Sequence, residues 1–464
     1  MPFNTFENYP MSWKPHIDKK EHVLYRALAH QLEEDIVNGT LLPGTKLPPQ
    51  RELADYLDIN VSTVSKAFKL CELKGLLSAT VGSGTYVSFD ALSNTRLLAE
   101  NIAAHVIPMG TTVPDAEANK LVLQELKRLV RESEAEKLFQ YANPDDNLWQ
   151  KDAAVLWMSK CGFNPKKDNI LFANGGQNAI TAIFMGVFKY GDRIGVEPHA
   201  YSDMKSAANM LGIQLVPIHF MDKQKNEELN REALLYACKN NNLKGLYLIP
   251  DHQNPTTYTM PVKARKQLAK IACKMDLVVI EDGTYHLMSG IQETIAAFAP
   301  ENTIYIANLS KAISPGLRLA YVSAPKQYKN QISNALYNMN ISVSPLMVNL
   351  AARLIVSGQA ENVLTMHRRQ NILRNEKVNQ YLSGYECRGE NTGIFRWLLL
   401  PGKISGNEFE ALALKHGVQV YAAERFAVGN TVPERAVRIA VCGTHTIEEL
   451  EKGLKIIKKL LASL

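Results

Sequence analysis

Three successive patterns predict a multidomain chain: an N-terminal winged helix-turn-helix of the α+β class, an α/β domain on a largely parallel sheet, and a small C-terminal α+β domain. The first pattern is three short helices and a hairpin within residues 20–88, the second is a series of apolar runs alternating with helical stretches over 116–345, and the third is a set of short strands with a terminal helix over 346–464. A chain of 464 residues has room for two to four domains with sizeable cores.

Leu24, Leu28, Leu32 and Ile36 recur at every fourth position and Gly39 follows them, which predicts one amphipathic helix closed by a C′ glycine. After the turn LLPGTKLPP, Leu53, Ala54 and Leu57 share a helical face. Asn60 or Ser62 then caps a third helix from Val61 to Lys74, ended by Gly75. LLSATVGSGTYVSF reads as two short strands around a Val-Gly-Ser-Gly turn. Residues 89–115 lack a sustained period and contain Pro108, Gly110 and Pro114, so they read as a linker. Beyond it NILFANGG, DRIGVEP, IQLVPIHF, GLYLIPD, LVVIEDG, TIYIANLS and RLAYVSAP are strand candidates, and their alternation with helices implies a parallel sheet covered on both faces. GIFRWLLL, GVQVYAAE, AVRIAVC and a helix carrying Ile447, Leu450, Leu454 and Ile457 make up the small domain.

Composition narrows the function classes. Hydrophobic residues at 46% and charged residues at 21% exclude a disordered or fibrous chain, and a net charge of +6 is too mild to dictate a nucleic-acid or membrane partner. The six cysteines form no CxxC pair and no spacing suited to zinc or a disulfide framework, so they read as thiols of a reducing cytoplasm with no metal site. No basic stretch precedes an apolar core at the N-terminus and no window nears 18 uninterrupted apolar residues; the expectation is a soluble, cytoplasmic protein without a membrane partner.

A recognition helix needs small polar and basic side chains toward bases and phosphates, with apolar ones behind. Ser62, Thr63, Ser65 and Lys66 supply that mixture, Arg51 opens the preceding helix, and Gly82-Ser83-Gly84 forms a wing tip whose backbone can approach phosphates. A helical protein-interaction module is the alternative. Residues 1–90 carry nine basic side chains against eleven acidic ones, although 60–88 hold three lysines against Glu72 alone. Non-specific affinity is therefore expected to be weak, and specificity to require two half-sites and a dimer.

A second constellation suits pyridoxal-phosphate chemistry, which needs an imine-forming lysine, an acid for the pyridine nitrogen, donors for the phenolate oxygen, a ring stacker and a phosphate cradle. Lys311 follows the strand TIYIANLS; by itself it reads more readily as a solvated loop lysine than as a nucleophile. Asp282 ends LVVIEDG at the strand edge where ligands bind, or caps a helix. Gly175-Gly176-Gln177 opens a helix whose free N–H groups suit a phosphate, a weak signal for a lone glycine pair; Arg318 offers a bidentate contact and Tyr201 a stacking ring, and both read equally as structural residues. Asn254 and Tyr285 donate to the ring oxygen, and Arg438 clamps a carboxylate.

The run from LYRALAHQLEEDIVNG through PGTKLP, RELA, TV and GSGTYV resembles the GntR-family winged helix over its whole length, with Val61 at the place where a basic residue commonly precedes the recognition Thr-Thr-Val. HQNPT, Asp282-x-x-Tyr285 and the run from Ser310-Lys311 to Pro315-Gly316-Leu317-Arg318 are similar to fold-type I aminotransferases, across roughly 110–464. That resemblance implies pyridoxal 5′-phosphate as cofactor, with Lys311 as Schiff-base lysine and Asp282 on the pyridine nitrogen. It implies Asn254 and Tyr285 on the phenolate oxygen, Tyr201 stacked, Gly176, Gln177 and Arg318 on the phosphate, and Arg438 on an amino-acid carboxylate. Tyr141 is similar to the tyrosine that reaches the partner subunit's phosphate. Three places depart from the pattern: Asn308 where Ser or Gly is usual, Thr257 in place of the glycine after NPT, and YANPDDNLWQKD without its usual glycine and Leu-Arg.

The fusion resembles the MocR/GabR group of regulators. This implies a homodimer, head-to-tail and domain-swapped, that binds operator DNA and senses pyridoxal phosphate, alone or with an amino compound. The alternative is a working aminotransferase with an accessory DNA-binding domain.

Overall fold

The computed structural model describes residues 11–17, 23–80, 84–89, 91, 105–141, 149–221, 228–290 and 293–464. In the winged helix, α1 (Leu24–Val37) buries Leu28, Leu32 and Ile36, and Gly39 adopts φ +76° after its end. The next two helices are α2 (Gln50–Leu57) and α3 (Val61–Leu73). The Asn60 side chain caps α3 by accepting from the Ser62 N–H at 2.9 Å. Leu53, Ala54 and Leu57 of α2 meet Val64, Ala67, Phe68 and Cys71 of α3 in one core, which leaves Ser62 and Lys66 on the outer face. Strands β1 (Leu77–Thr80) and β2 (Gly84–Val87) close the domain as an antiparallel hairpin.

The domain begins earlier than the expected residue 20. Trp13 and Ile17 enter the same core, and the Trp13 indole N–H donates to the Asp35 carboxylate at 2.7 Å. The span 89–115 is likewise not all connection. Within it β3 (Ile107–Pro108) forms a strand, Met109 is fully buried, and residues 92–104 lie outside those described.

Seven strands build the large sheet: β4 (Ile170–Ala173), β5 (Arg193–Val196), β6 (Gln214–Pro217), β7 (Gly245–Leu248), β8 (Val278–Asp282), β9 (Thr303–Asn308) and β10 (Ala320–Ser323). Their order is β4-β10-β9-β8-β7-β5-β6, with β10 antiparallel to both neighbours and every other pairing parallel. Each sequence run forms its strand, because near-continuous Val, Ile and Leu suit strands buried on both faces. The carboxyl ends of β5, β7, β8 and β9 open toward one side, where Tyr201, Asn254, Asp282 and Lys311 follow them in the chain.

The small domain has an antiparallel sheet ordered β11 (Cys387–Arg388), β12 (Phe395–Leu399), β15 (Ala436–Ala440), β14 (Tyr421–Ala422). The neighbouring β13 (Val418–Gln419) pairs in parallel with β3. Helix Pro345–Val356 packs its apolar face into the large-domain core, whereas the small-domain core takes Val378 from helix Gln359–Tyr381 together with Met109 from beside β3. The winged helix rests on the large and small domains of the same chain. The Gln214 side chain donates to the Glu72 carbonyl at 3.2 Å and the Phe89 N–H donates to the Gly429 carbonyl at 2.9 Å.

Candidate cofactor and DNA sites

A cleft lies at the carboxyl ends of the central strands, and Gly176, Gln177, Tyr201, Asn254, Asp282, Tyr285, Lys311 and Arg438 line it. Eight positions spread over 263 residues of sequence thus meet at one place. Arg318 borders the cleft instead of lining it, and Tyr141, 84% exposed, is not among the lining residues.

The phosphate-type cradle is built from close backbone approach. Gly175 has φ +86°, and a Cβ there would stand 2.5 Å from Arg318 Nη2; a Cβ on Gly176 would stand 2.6 Å from Asn308 Nδ2. Glycine is therefore required at both positions for the N-terminus of helix Gly176–Val187 to face Arg318 and Asn308. The Arg318 guanidinium donates to the Ser310 hydroxyl at 3.4 Å and the Asn174 carbonyl at 3.3 Å, while Gln177 Oε1 is buried without a partner. Asn308 caps the turn that carries Lys311, accepting from the Ser310 N–H at 3.1 Å.

On the floor, Asp282 accepts from the Tyr247 hydroxyl at 2.8 Å and from the Thr284 N–H at 3.1 Å. Burial pushes this carboxyl up, and those hydrogen bonds oppose the shift. Tyr201 donates to Asp203 at 2.8 Å, and Tyr285 stands edge-on to Phe395 with centroids 5.5 Å apart. Lys311 Nζ donates to the Thr112 carbonyl at 2.6 Å. Its pKa is lowered to about 8, chiefly by burial, then by the Arg438 and Arg318 cations against an opposing effect of Cys442.

Arg438 is 2% exposed and donates to Asn254 Oδ1 at 2.6 Å and to the Gly110 carbonyl at 2.7 Å. The rings of Phe426, Phe395 and Tyr421 surround it at 4.9, 5.4 and 5.5 Å, and its Nε has no partner. Among the described residues no carboxylate pairs with it. With Oδ1 of Asn254 engaged by Arg438, the Asn254 amide is oriented to present Nδ2, a donor. Tyr247, Thr284, Thr111 and Thr112 escaped the sequence reading. Thr284 sits inside the Asp282-x-x-Tyr285 motif, whereas the two threonines lie in the span read as linker.

On the winged helix, Arg51, Ser62 and Lys66 are exposed, and Thr63 and Ser65 are half-buried. The Ser65 hydroxyl donates to Gln50 at 2.5 Å, which sets the start of α2 beside α3. Gly84 is exposed at φ +113°, with Lys46 close against it and over the Tyr86 ring at 5.7 Å. Lys46 was not predicted; Gly82 and Ser83 lie outside the described residues.

Fold and site together define a class: a winged-helix DNA-binding domain joined to an aminotransferase-type domain. Residues 24–87 match the family of bacterial regulatory proteins, gntR family, and residues 104–457 match aminotransferase class I and II. The chain is 59% identical, over 465 residues and 100% of both chains, to an uncharacterized HTH-type transcriptional regulator of Bacillus subtilis, YdeF. It is 24% identical to another of Escherichia coli, YdcR, across 87% of this chain and 92% of that one. A kynurenine aminotransferase from Pyrococcus horikoshii superposes with a TM-score of 0.71 at 21% identity, covering 78% of this chain and 92% of the other. The Thermus thermophilus alpha-aminoadipate aminotransferase LysN, complexed with N-(5′-phosphopyridoxyl)-L-leucine, gives 0.69 at 21% identity over 80% and 96%. The chain belongs to the aminotransferase class I and II family and, with its gntR-family domain, is a regulator of the MocR/GabR type. The aminotransferase family is pyridoxal-phosphate dependent.

Proposed function

We propose that this chain is a transcription regulator whose binding to operator DNA is governed by pyridoxal phosphate, alone or with an amino compound, held in the Lys311 cleft. The observation that carries the reading is the order of groups along that cleft: glycine cradle, half-buried lysine, buried acid, and a buried arginine with no carboxylate partner among the described residues. These groups fit the cofactor. The Gly175–Gly176 backbone, Gln177 and Arg318 would hold its phosphate, Asp282 its ring nitrogen, Asn254 and Tyr285 its ring oxygen, and Tyr201 its face. Bound there, the cofactor would supply an aldehyde carbon and an electron-withdrawing ring.

Each side chain has its own task. Lys311, with a pKa of about 8, carries an appreciable neutral fraction near pH 7 and is the nucleophile. Burial disfavours the charge of Asp282, and a protonated ring nitrogen beside it would favour that charge. Arg438 would attract an effector carboxylate, because a desolvated guanidinium without a counter-ion gains most from one. Tyr141, exposed and outside its own cleft, is suited to a partner's site in a homodimer, and the surfaces by which the winged helix rests on the other domains would serve equally in a domain-swapped, head-to-tail arrangement.

Footprinting of the purified protein upstream of its own gene, with and without pyridoxal phosphate at fixed salt, tests the reading. Paired protected sites that respond to the cofactor support it; no specific protection in either condition overturns it. The intact set Lys311, Asp282, Tyr285 and Arg438 also favours amino transfer by the same site, and sustained keto-acid production from an amino acid would identify that activity.

A further inference from the structure

We propose that the loop Phe426–Gly429 is a strut through which the state of Arg438 sets the seating of the winged helix. The inference rests on the pyridoxal-phosphate reading of the cleft, but the contact it concerns lies outside that cleft.

At one end the Phe426 ring lies 4.9 Å from the Arg438 guanidinium and edge-on to Trp397, centroids 6.3 Å apart. In the middle the Phe426 carbonyl accepts from the Ala200 N–H at 2.8 Å, and the Val428 N–H donates to the Pro198 carbonyl at 3.0 Å. The buried Lys205 ammonium donates to the Ala427 carbonyl. The loop is thus stapled to residues 198–200, which lead into Tyr201. At the other end the Gly429 carbonyl accepts from the Phe89 N–H at 2.9 Å, just beyond β2. Gly429 has φ +57°, and a Cβ there would come within 3.1 Å of Ser78 Oγ on β1. Four consecutive residues therefore reach from the guanidinium to the base of the wing.

The physical reason for coupling is the setting of Arg438. Its charge is shared among a side-chain amide, a carbonyl and three aromatic faces. A carboxylate in the cleft outcompetes all of them and draws the guanidinium toward itself. Phe426, Trp397 and Tyr421 are fully buried, so the Phe426 ring follows the cation instead of leaving a void behind it. The backbone it heads is buried and bonded at each step, and the displacement arrives at the Gly429 carbonyl. The second footing of the winged helix, Gln214 on the Glu72 carbonyl, is held by residues that do not line the cleft. A shift at Gly429 then turns the winged helix about the end of α3 and re-aims the recognition face.

The test uses the full-length protein and N-(5′-phosphopyridoxyl)-L-leucine, a non-reactive probe that brings phosphate and carboxylate together. Binding is read from probe fluorescence and seating from hydrogen exchange of the Phe89 amide by mass spectrometry. The probe is expected to change that exchange by about threefold or more, and pyridoxal phosphate alone, having no carboxylate, to leave it unchanged. In Gly429→Ala the probe should bind within about twofold of wild type while exchange is fast with or without it. In Phe426→Leu it should bind without the exchange response. A wild-type protein that binds the probe with no change at Phe89 overturns the strut, as does a full response in Phe426→Leu or to pyridoxal phosphate alone. No probe binding at all overturns the reading of the cleft, and the strut with it.

Discussion

Lys311 shows how burial makes a reactive group. Burial strips water from its ammonium, which keeps one carbonyl partner, Thr112, and the Arg438 and Arg318 cations add to the cost, so the charged form is disfavoured and the pKa falls from 10.5 to about 8. Because the neutral amine is the nucleophile, uptake of pyridoxal phosphate, followed by the visible absorbance the bound cofactor gains, should rise with pH with a midpoint of about 8. Removing a neighbouring positive charge relieves the disfavoured state, so Arg438→Gln should move that midpoint upward; an unchanged or lower midpoint contradicts the assignment. Lys311→Ala should abolish the absorbance. Thr257 is the other informative residue. It departs from the expected glycine, and its φ of +65° is the left-handed region that β-branched residues avoid at a cost of roughly 1–2 kcal/mol. Glycine brings back some unfolded-state entropy, about 0.5–1 kcal/mol, so Thr257→Gly should stabilise the protein by up to about 1 kcal/mol in urea unfolding. A loss of stability would mean that the hydrogen bond from its hydroxyl to the Thr256 carbonyl outweighs the strain.

Elements differed in how openly the sequence declared them. The seven strands of the large sheet were legible because burial on both faces demands uninterrupted apolar runs, and α1 to α3 because one face must be apolar every three to four residues. Lys311 and Asp282 were legible from their places at strand ends and Arg438 from the AVRIAVC run that forms β15, but Thr111 and Thr112 were not. Their segment is held by pairing of β3 with β13 and by the Thr111–Tyr421 hydrogen bond, the latter made 310 residues along the chain, and such contacts leave no local period. Residues 11–17 were missed for the same reason: a segment with no repeat buries Trp13 to 4% exposure by packing against α1. Trp13→Ala should cost the winged helix about 3–5 kcal/mol, seen as earlier thermal loss of DNA binding while the cofactor absorbance persists. At the cradle, a side chain on Gly175 meets both positive φ and the Arg318 guanidinium at 2.5 Å, so Gly175→Ala should weaken pyridoxal-phosphate binding by about tenfold or more by direct titration.

For the whole molecule, the charge distribution decides how DNA is held. The winged helix is not basic overall, and two of its lysines are committed to acids: Lys69 to Glu72 at 3.2 Å and Lys74 to Glu33 at 2.5 Å. Lys46, Arg51 and Lys66 are exposed, Lys46 beside the wing and the other two where α2 meets α3. Each phosphate neutralised by such a group contributes a slope of about −0.9 to the dependence of log affinity on log salt. Three contacts per winged helix give a slope of about −2.7, and two winged helices on paired half-sites about twice that. Titration of a specific fragment over a range of salt concentrations therefore counts the domains on the DNA without reference to the protein's state in free solution. A slope near the larger value, falling by roughly 1.8 in Lys66→Ala, is the expected result for a dimer that uses both recognition helices. A slope near the smaller value would mean that one winged helix carries all the binding and that the second subunit, if present, leaves its own recognition face turned away from the operator.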